Sequence, residues 1–300
     1  MKLLRNIFNS IYELLDLLDK AVSVDFVRLL KIDDFDLSKT AIVIRGPLSK
    51  FTIRTVKRYL KTYNVGAVVV STWEGERLKD LFKFKDNRLH FVSSDIPVVH
   101  IGKTSLRYQT VLADAGLKAV REKTMCSHAL LLRSDIRANN FLARKDFYDF
   151  YYRETTQKNK LIVSSFNTMK DRLMSINDLL MFGNVNQLIH YWKDDYRSLE
   201  RAYQLCFEQS IKEIPETILA LRYYESIAVK KLEKINYRLY ENYMIENFVL
   251  LDPVYFGLQW NKYHRHSDRN RTLISGYQGN RQMTMLDVFI GQNDSNCSSR

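Results

Sequence analysis

Cysteine is scarce in this chain. The three residues, Cys126, Cys206 and Cys297, are widely spaced and odd in number, with no CxxC pair among them. That excludes a disulfide framework and a cysteine-based zinc module, and it fits a reducing compartment. Glycine and proline are scarce too, at 10 and 4 residues, so low-complexity linkers and a turn-rich all-β design are not expected. No stretch reaches the roughly 20 apolar residues that a bilayer-spanning helix needs. The common nucleotide and hydrolase signatures are missing: there is no GxxxxGK[ST], no GxGxxG after the first strand and no GxSxG. His264 and His266, two apart in NKYHRH, are too few for a zinc site and read as solvated tail residues.

What is abundant is positive charge. The formal charge of +12 and pI near 9.4 point to acidic partners: nucleic acid, anionic lipid or phosphorylated small molecules. The 18 tyrosines and 16 phenylalanines are scattered through apolar patterns and form no recognisable nucleic-acid module, so nucleic acid is not the expected partner. At the N-terminus, Leu4, Ile7, Phe8, Ile11, Leu14, Leu15 and Leu18 recur at helical spacing. The spacing predicts an amphipathic helix over residues 2–20 that packs on the domain. Arg5, Glu13, Asp16 and Asp19 interrupt it, which argues against a signal peptide, and its acids argue against anionic lipid as its main partner.

From residue 40 a rhythm of β-branched runs and helical patterns sets in. AIVIRG (41–46), GAVVVSTW (66–73), RLHFVSSD (88–95), HALLLRSD (128–135) and NKLIVSSF (159–166) read as strands. Ser49 is placed to cap a helix running to about Tyr63, and a second helix is expected from about Thr104 to Glu122. Continuous apolar strands separated by helices predict an α/β fold with a mostly parallel sheet covered on both faces. After residue 170 the pattern turns helical, at 179–192 and 215–244, before a late strand within 247–260. The expected division is an N-terminal helical extension (1–35), one domain (36–262) and a polar tail (263–300).

Open α/β sheets bind ligands beyond the carboxyl ends of their strands. Here those ends carry Arg45-Gly46-Pro47, Thr72-Trp73-Glu74, Ser93-Ser94-Asp95 and Arg133-Ser134-Asp135-Ile136-Arg137. An acid beside two arginines reads either as a strand-end ion pair or as the ligand of a diphosphate-bound Mn²⁺ or Mg²⁺, with arginine taking the remaining phosphate charge. On the second reading Asp135 faces the cleft of Gly46 and Thr72 and is not closed into a private pair with Arg133.

AIVIRGPLSKFTIRTVKRYLKTYNVGAVVVSTWEGE resembles the opening of the WavE family of glycosyltransferases, linked to lipopolysaccharide and capsule synthesis, with Arg45 where that family has glutamine. RYQTVLADAGLKAV, LLLRSDIR, SINDLLMFGNVNQL and IPETIL are similar to later blocks of the family, in order, across roughly residues 40–260. The resemblance implies a GT-A-like Rossmann-type fold, a nucleoside diphosphate sugar donor and a divalent cation, Mn²⁺ or Mg²⁺, on Asp135, with Arg-Ser-Asp in place of Asp-x-Asp. It implies donor contacts at Arg45, Gly46, Pro47, Thr72, Glu74, Arg107, Gln109, Arg133, Ser134 and Arg137. Asp178 is the first candidate for a catalytic base, with helix N-capping as its structural alternative; Glu216 is the second, with first-turn helix charge as its alternative. The acceptor implied is a cell-surface glycan or its lipid-linked precursor, which places the chain in the cytoplasm, with attachment to the inner face of the membrane as a variant. The competing reading is a non-catalytic glycan- or membrane-associated subunit of the same fold.

Overall fold

The computed structural model describes residues 37–76, 81–139, 160–169, 172–228, 234–251 and 256–260. The predicted N-terminal helix and the tail after residue 262 lie outside them. The strands are β1 (Thr40–Arg45), β2 (Ala67–Trp73), β3 (Leu89–Ser94), β4 (His128–Arg133), β5 (Ile136–Ala138), β6 (Leu161–Ser164), β7 (Leu180–Asn184), β8 (Phe248–Leu251) and β9 (Leu258–Trp260). The helices are α1 (Lys50–Thr62), α2 (Leu106–Lys123), α3 (Val185–Trp192), α4 (Tyr196–Glu208), α5 (Pro215–Ile227) and α6 (Tyr237–Asn247).

Seven strands form one sheet in the order β3-β2-β1-β4-β7-β6-β8. Only β7 runs against its neighbours, so the sheet is mostly parallel, as expected. Its inner strands are apolar because both faces are covered. Ala41 and Val43 of β1 pack with Leu117 and Val120 of α2, while the alternate residues Ile42 and Ile44 pack with Val56 and Tyr59 of α1. Helix α1 starts where the sequence places it. Ser49 Oγ accepts from the Thr52 amide while the Thr52 hydroxyl accepts from the Ser49 amide. Helix α2 lies close on the sheet because Gly116 has no side chain: a Cβ there would stand 2.7 Å from Val43 Cγ1. No described helix is long and apolar enough to cross a membrane.

The expected helix over 179–192 is half right. Leu180–Asn184 is strand β7, and the helix begins only at Val185, where Asn184 Oδ1 accepts from the Asn186 amide. Packing overrides the helical pattern: β7 fills the gap between β4 and β6, and Gly183 lets Leu161 close against it. The late strand within 247–260 divides as well. β8 ends the large sheet, whereas β9 pairs antiparallel with β5 in a separate two-stranded sheet just past the end of β4.

Candidate active site

β1 and β4 are neighbours in the sheet, with Arg45 and Arg133 in register at their carboxyl ends. The first loop is pinned to the turn after β4. The Ser134 amide donates to the Arg45 carbonyl (2.7 Å), and the Thr52 hydroxyl donates to the Ser134 carbonyl (3.0 Å). Gly46 sits at φ +127°, and a Cβ on it would come within 2.5 Å of Ser134 Oγ, so both the turn and the contact need glycine. Pro47 lies exposed beside it.

Asp135 is engaged, contrary to expectation. Its two oxygens accept from Arg133 Nε (3.1 Å) and Nη2 (3.0 Å), and Oδ2 also accepts from the Trp260 indole (3.0 Å). Asp135 is therefore closed on Arg133 after all. β9 adds the third contact: pairing Ile136 with Trp260 brings the indole over the turn, a placement no local pattern announces. Burial lowers the Arg133 pKa, but Asp135 and then Asp178 outweigh it, and the net shift is upward.

Arg45 is almost wholly buried, its guanidinium 4.3 Å over the ring of Trp192. It donates to the Asp178 carbonyl oxygen (2.5 Å) and to Gln109 Oε1 (3.4 Å), while its Nε has no partner. Burial brings its pKa down to about 10, against the opposing pull of Asp178. Asp178 precedes a strand, so it caps no helix; the side chain of its neighbour Asn177 takes the Leu179 and Leu180 amides instead. The Asp178 carboxylate is buried and its Oδ1 has no hydrogen-bond partner.

Glu216 sits in the first turn of α5, set by Pro215, and accepts from Asn167 Nδ2 (3.0 Å). Its carboxyl is pushed up to about 7, by burial first and the Asp178 carboxylate second, against Arg172 and Arg133. The two candidate bases thus stand close enough for each to feel the other's charge, within the field of the strand-end arginines.

A cavity of about 570 Å³ opens between the start of α1 and the end of β2, lined by Leu48, Ser49, Lys50, Trp73, Glu74 and Ile96, among others. Glu74 is exposed on its rim and its pKa is raised, chiefly by a hydrogen bond with Asp95.

Three expected contacts go elsewhere. Arg107 is locked to Asp194 through Nε and Nη2, both at 2.9 Å, and ties α2 to the start of α4. Arg137 is buried against α1, donating to Thr55 Oγ1 (3.1 Å) with its guanidinium over Phe51. Thr72 is buried within β2 and does not line the cavity. Conversely Trp260, Trp192, Asn167 and Arg172 belong to the site without any motif having marked them.

No protein-family model matches the chain, and no curated protein matches it. Among solved structures it superposes on a 4-diphosphocytidyl-2C-methyl-D-erythritol synthase from Anaerococcus prevotii DSM 20548, at 9% identity over 86% of this chain and 97% of that one, TM-score 0.35. A glycosyltransferase involved in glycosylation of the major capsid of PBCV-1 aligns at 10% identity over 71% of this chain and 83% of that one, TM-score 0.36. The galactosyltransferase LgtC, solved with donor and acceptor sugar analogues, aligns at 12% identity over 61% and 70%, TM-score 0.37. Superpositions this loose carry no argument about chemistry, which rests on the residues.

Proposed function

We propose that this chain is a glycosyltransferase that moves a sugar from a nucleoside diphosphate sugar to a cell-surface glycan, of lipopolysaccharide or capsule type, or to its lipid-linked precursor. The observation that carries this reading is a carboxyl group, Glu216, pushed up to about 7 in the company of Asp178 and Arg133, with an open cavity at the end of β2, the strand beside β1. The ordered WavE-like blocks supply the substrate class. In the proposed arrangement the nucleoside lies in the cavity, with Glu74 and Ser49 as polar contacts and Gly46 allowing its diphosphate to approach the β1 and β4 ends.

In an inverting transfer, the acceptor hydroxyl attacks the anomeric carbon while a carboxylate takes its proton, and the diphosphate leaves with the bonding electron pair. Glu216 is the better base. Its proton affinity matches neutral operation, whereas Asp178 is enclosed. A donor already soluble in the cytoplasm, and an acceptor carried on lipid, would place the reaction at the inner face of the membrane.

The resemblance also implies Mn²⁺ or Mg²⁺ on Asp135, and the residues present do not fit one. Both Asp135 oxygens are taken by Arg133 and Trp260, and no group of three acids, histidines or cysteines suited to a cation occurs among the described residues. No step is therefore routed through a metal. The test of the function is donor hydrolysis and transfer with a panel of nucleotide sugars. Release of one nucleoside diphosphate, lost in Glu216→Gln, is the expected result; no turnover of any donor with any acceptor fraction overturns it.

A further inference from the structure

We infer that Arg133, backed by the buried Arg45, takes the diphosphate charge of the donor directly, so that donor binding here needs no divalent cation. This rests on the glycosyltransferase reading above and deepens it.

Asp135 is nearly saturated with hydrogen bonds. A carboxylate offers about four lone-pair positions, and three are already filled by N–H groups of Arg133 and Trp260. A cation taking the remaining position would sit beside the guanidinium, like charge against like, with a single protein ligand. Asp135 is also not free to turn away. The β5–β9 pairing puts Trp260 opposite Ile136, and the indole N–H holds Oδ2. Asp135 is thus a positioning residue: it sets the plane of the Arg133 guanidinium.

Arg133 has donors to spare. Nε and one Nη2 hydrogen face Asp135, its Nη1 makes none of the described hydrogen bonds, and its side chain is 29% exposed. A guanidinium fork suits phosphate oxygens as well as it suits a carboxylate. Behind it, Arg45 bonds only a backbone carbonyl and an amide side chain, with no carboxylate among its hydrogen-bond partners and its Nε unpartnered. It is 4% exposed, so water screens its charge little and it acts on the strand ends without touching the ligand, with the Asp178 and Asp135 carboxylates also in its field. One partly exposed arginine contact and one buried cation supply what a metal would otherwise supply.

Isothermal titration of the full chain with UDP, GDP, CDP, ADP and dTDP, first in EDTA and then with Mn²⁺ or Mg²⁺, tests this. At least one diphosphate should bind in EDTA, with metal changing Kd by less than about threefold, well under the tenfold that 1.4 kcal/mol represents. Arg133→Gln should weaken binding on the order of 10²-fold, the size of losing one partner of a buried charge-assisted pair. Asp135→Asn should weaken it by no more than about tenfold and leave it metal-independent, because the amide oxygen still accepts from the indole or the guanidinium. Urea midpoints confirm that each variant folds. Should Arg133→Gln not fold, Arg133→Lys, which keeps charge but loses the fork, should weaken binding about tenfold. Binding that requires Mn²⁺ or Mg²⁺ and vanishes in Asp135→Asn overturns the inference and leaves the donor reading intact. Wild-type binding of no diphosphate, with or without metal, overturns the donor reading and the inference with it. Normal binding by Arg133→Gln overturns the inference alone.

Discussion

Glu216 offers the sharpest single test of the site's electrostatics, because one substitution should change stability in a pH-dependent direction. Burial and Asp178 lift its carboxyl from 4.5 to about 7, so the fold prefers the protonated form. The folded state then holds more protons than the unfolded chain between those values, and stability falls as pH rises through that window. Integrated, the penalty is roughly 1 kcal/mol at pH 5 and roughly 3 kcal/mol at pH 8, where it has levelled off. Gln cannot ionise, and its amide oxygen still accepts from Asn167, so Glu216→Gln removes the penalty with little change in contacts. The variant should gain roughly 2 to 3 kcal/mol more over wild type at pH 8 than at pH 5, at the lower end given the partial exposure of the side chain. Urea unfolding at both pH values measures it. A difference that is the same at both pH values to within about 0.5 kcal/mol, or that runs the other way, refutes the assignment. In turnover, the same substitution should cost on the order of 10² to 10⁴ and erase the rise of wild-type rate through pH 7, the usual range for loss of a general base.

Arg45→Met should lower stability by about 2 to 3 kcal/mol, since it strips the buried Asp178 carbonyl of its charged donor and Trp192 of its cation; an unchanged urea midpoint would show that this buried arginine is not holding the loop. Gly46→Ala should cost about 2 kcal/mol, from backbone strain at φ +127° and the Ser134 contact. Adding Ser134→Gly should recover only the contact, so full rescue of the melting temperature would count against the strain.

The parallel half of the sheet was legible because β1, β2 and β4 are buried on both faces, and that burial leaves uninterrupted β-branched or leucine runs in the sequence. The helix cap at Ser49 was equally readable, since a cap and its partner amide lie three residues apart. β7 was not: Leu, Met and Phe suit a helix as well, and only the slot between β4 and β6 decides. In the site, sequence located the strand ends but not the directions of their side chains. Arg133 and Arg137 look equivalent on paper, yet one reaches Asp135 and the other turns under α1 to Thr55. Asp178 and Glu216 appeared as rivals; the fold makes them neighbours, and burial first and that proximity second raise one of them. Trp260 carried no signal at all, because its partner lies 125 positions away.

That separation has a consequence for how the chain matures. β1 to β4 form from one continuous span, residues 40–133, and a chain emerging from its N-terminus can assemble them early. The turn at Asp135 acquires its indole only when residue 260 exists and β9 has closed on β5. Ordering a contact of such long range is slow relative to local pairing. Among the described residues this turn is therefore the last to be completed, and a nascent or truncated chain ending before β9 would carry the β1–β4 sheet with an unfinished candidate site.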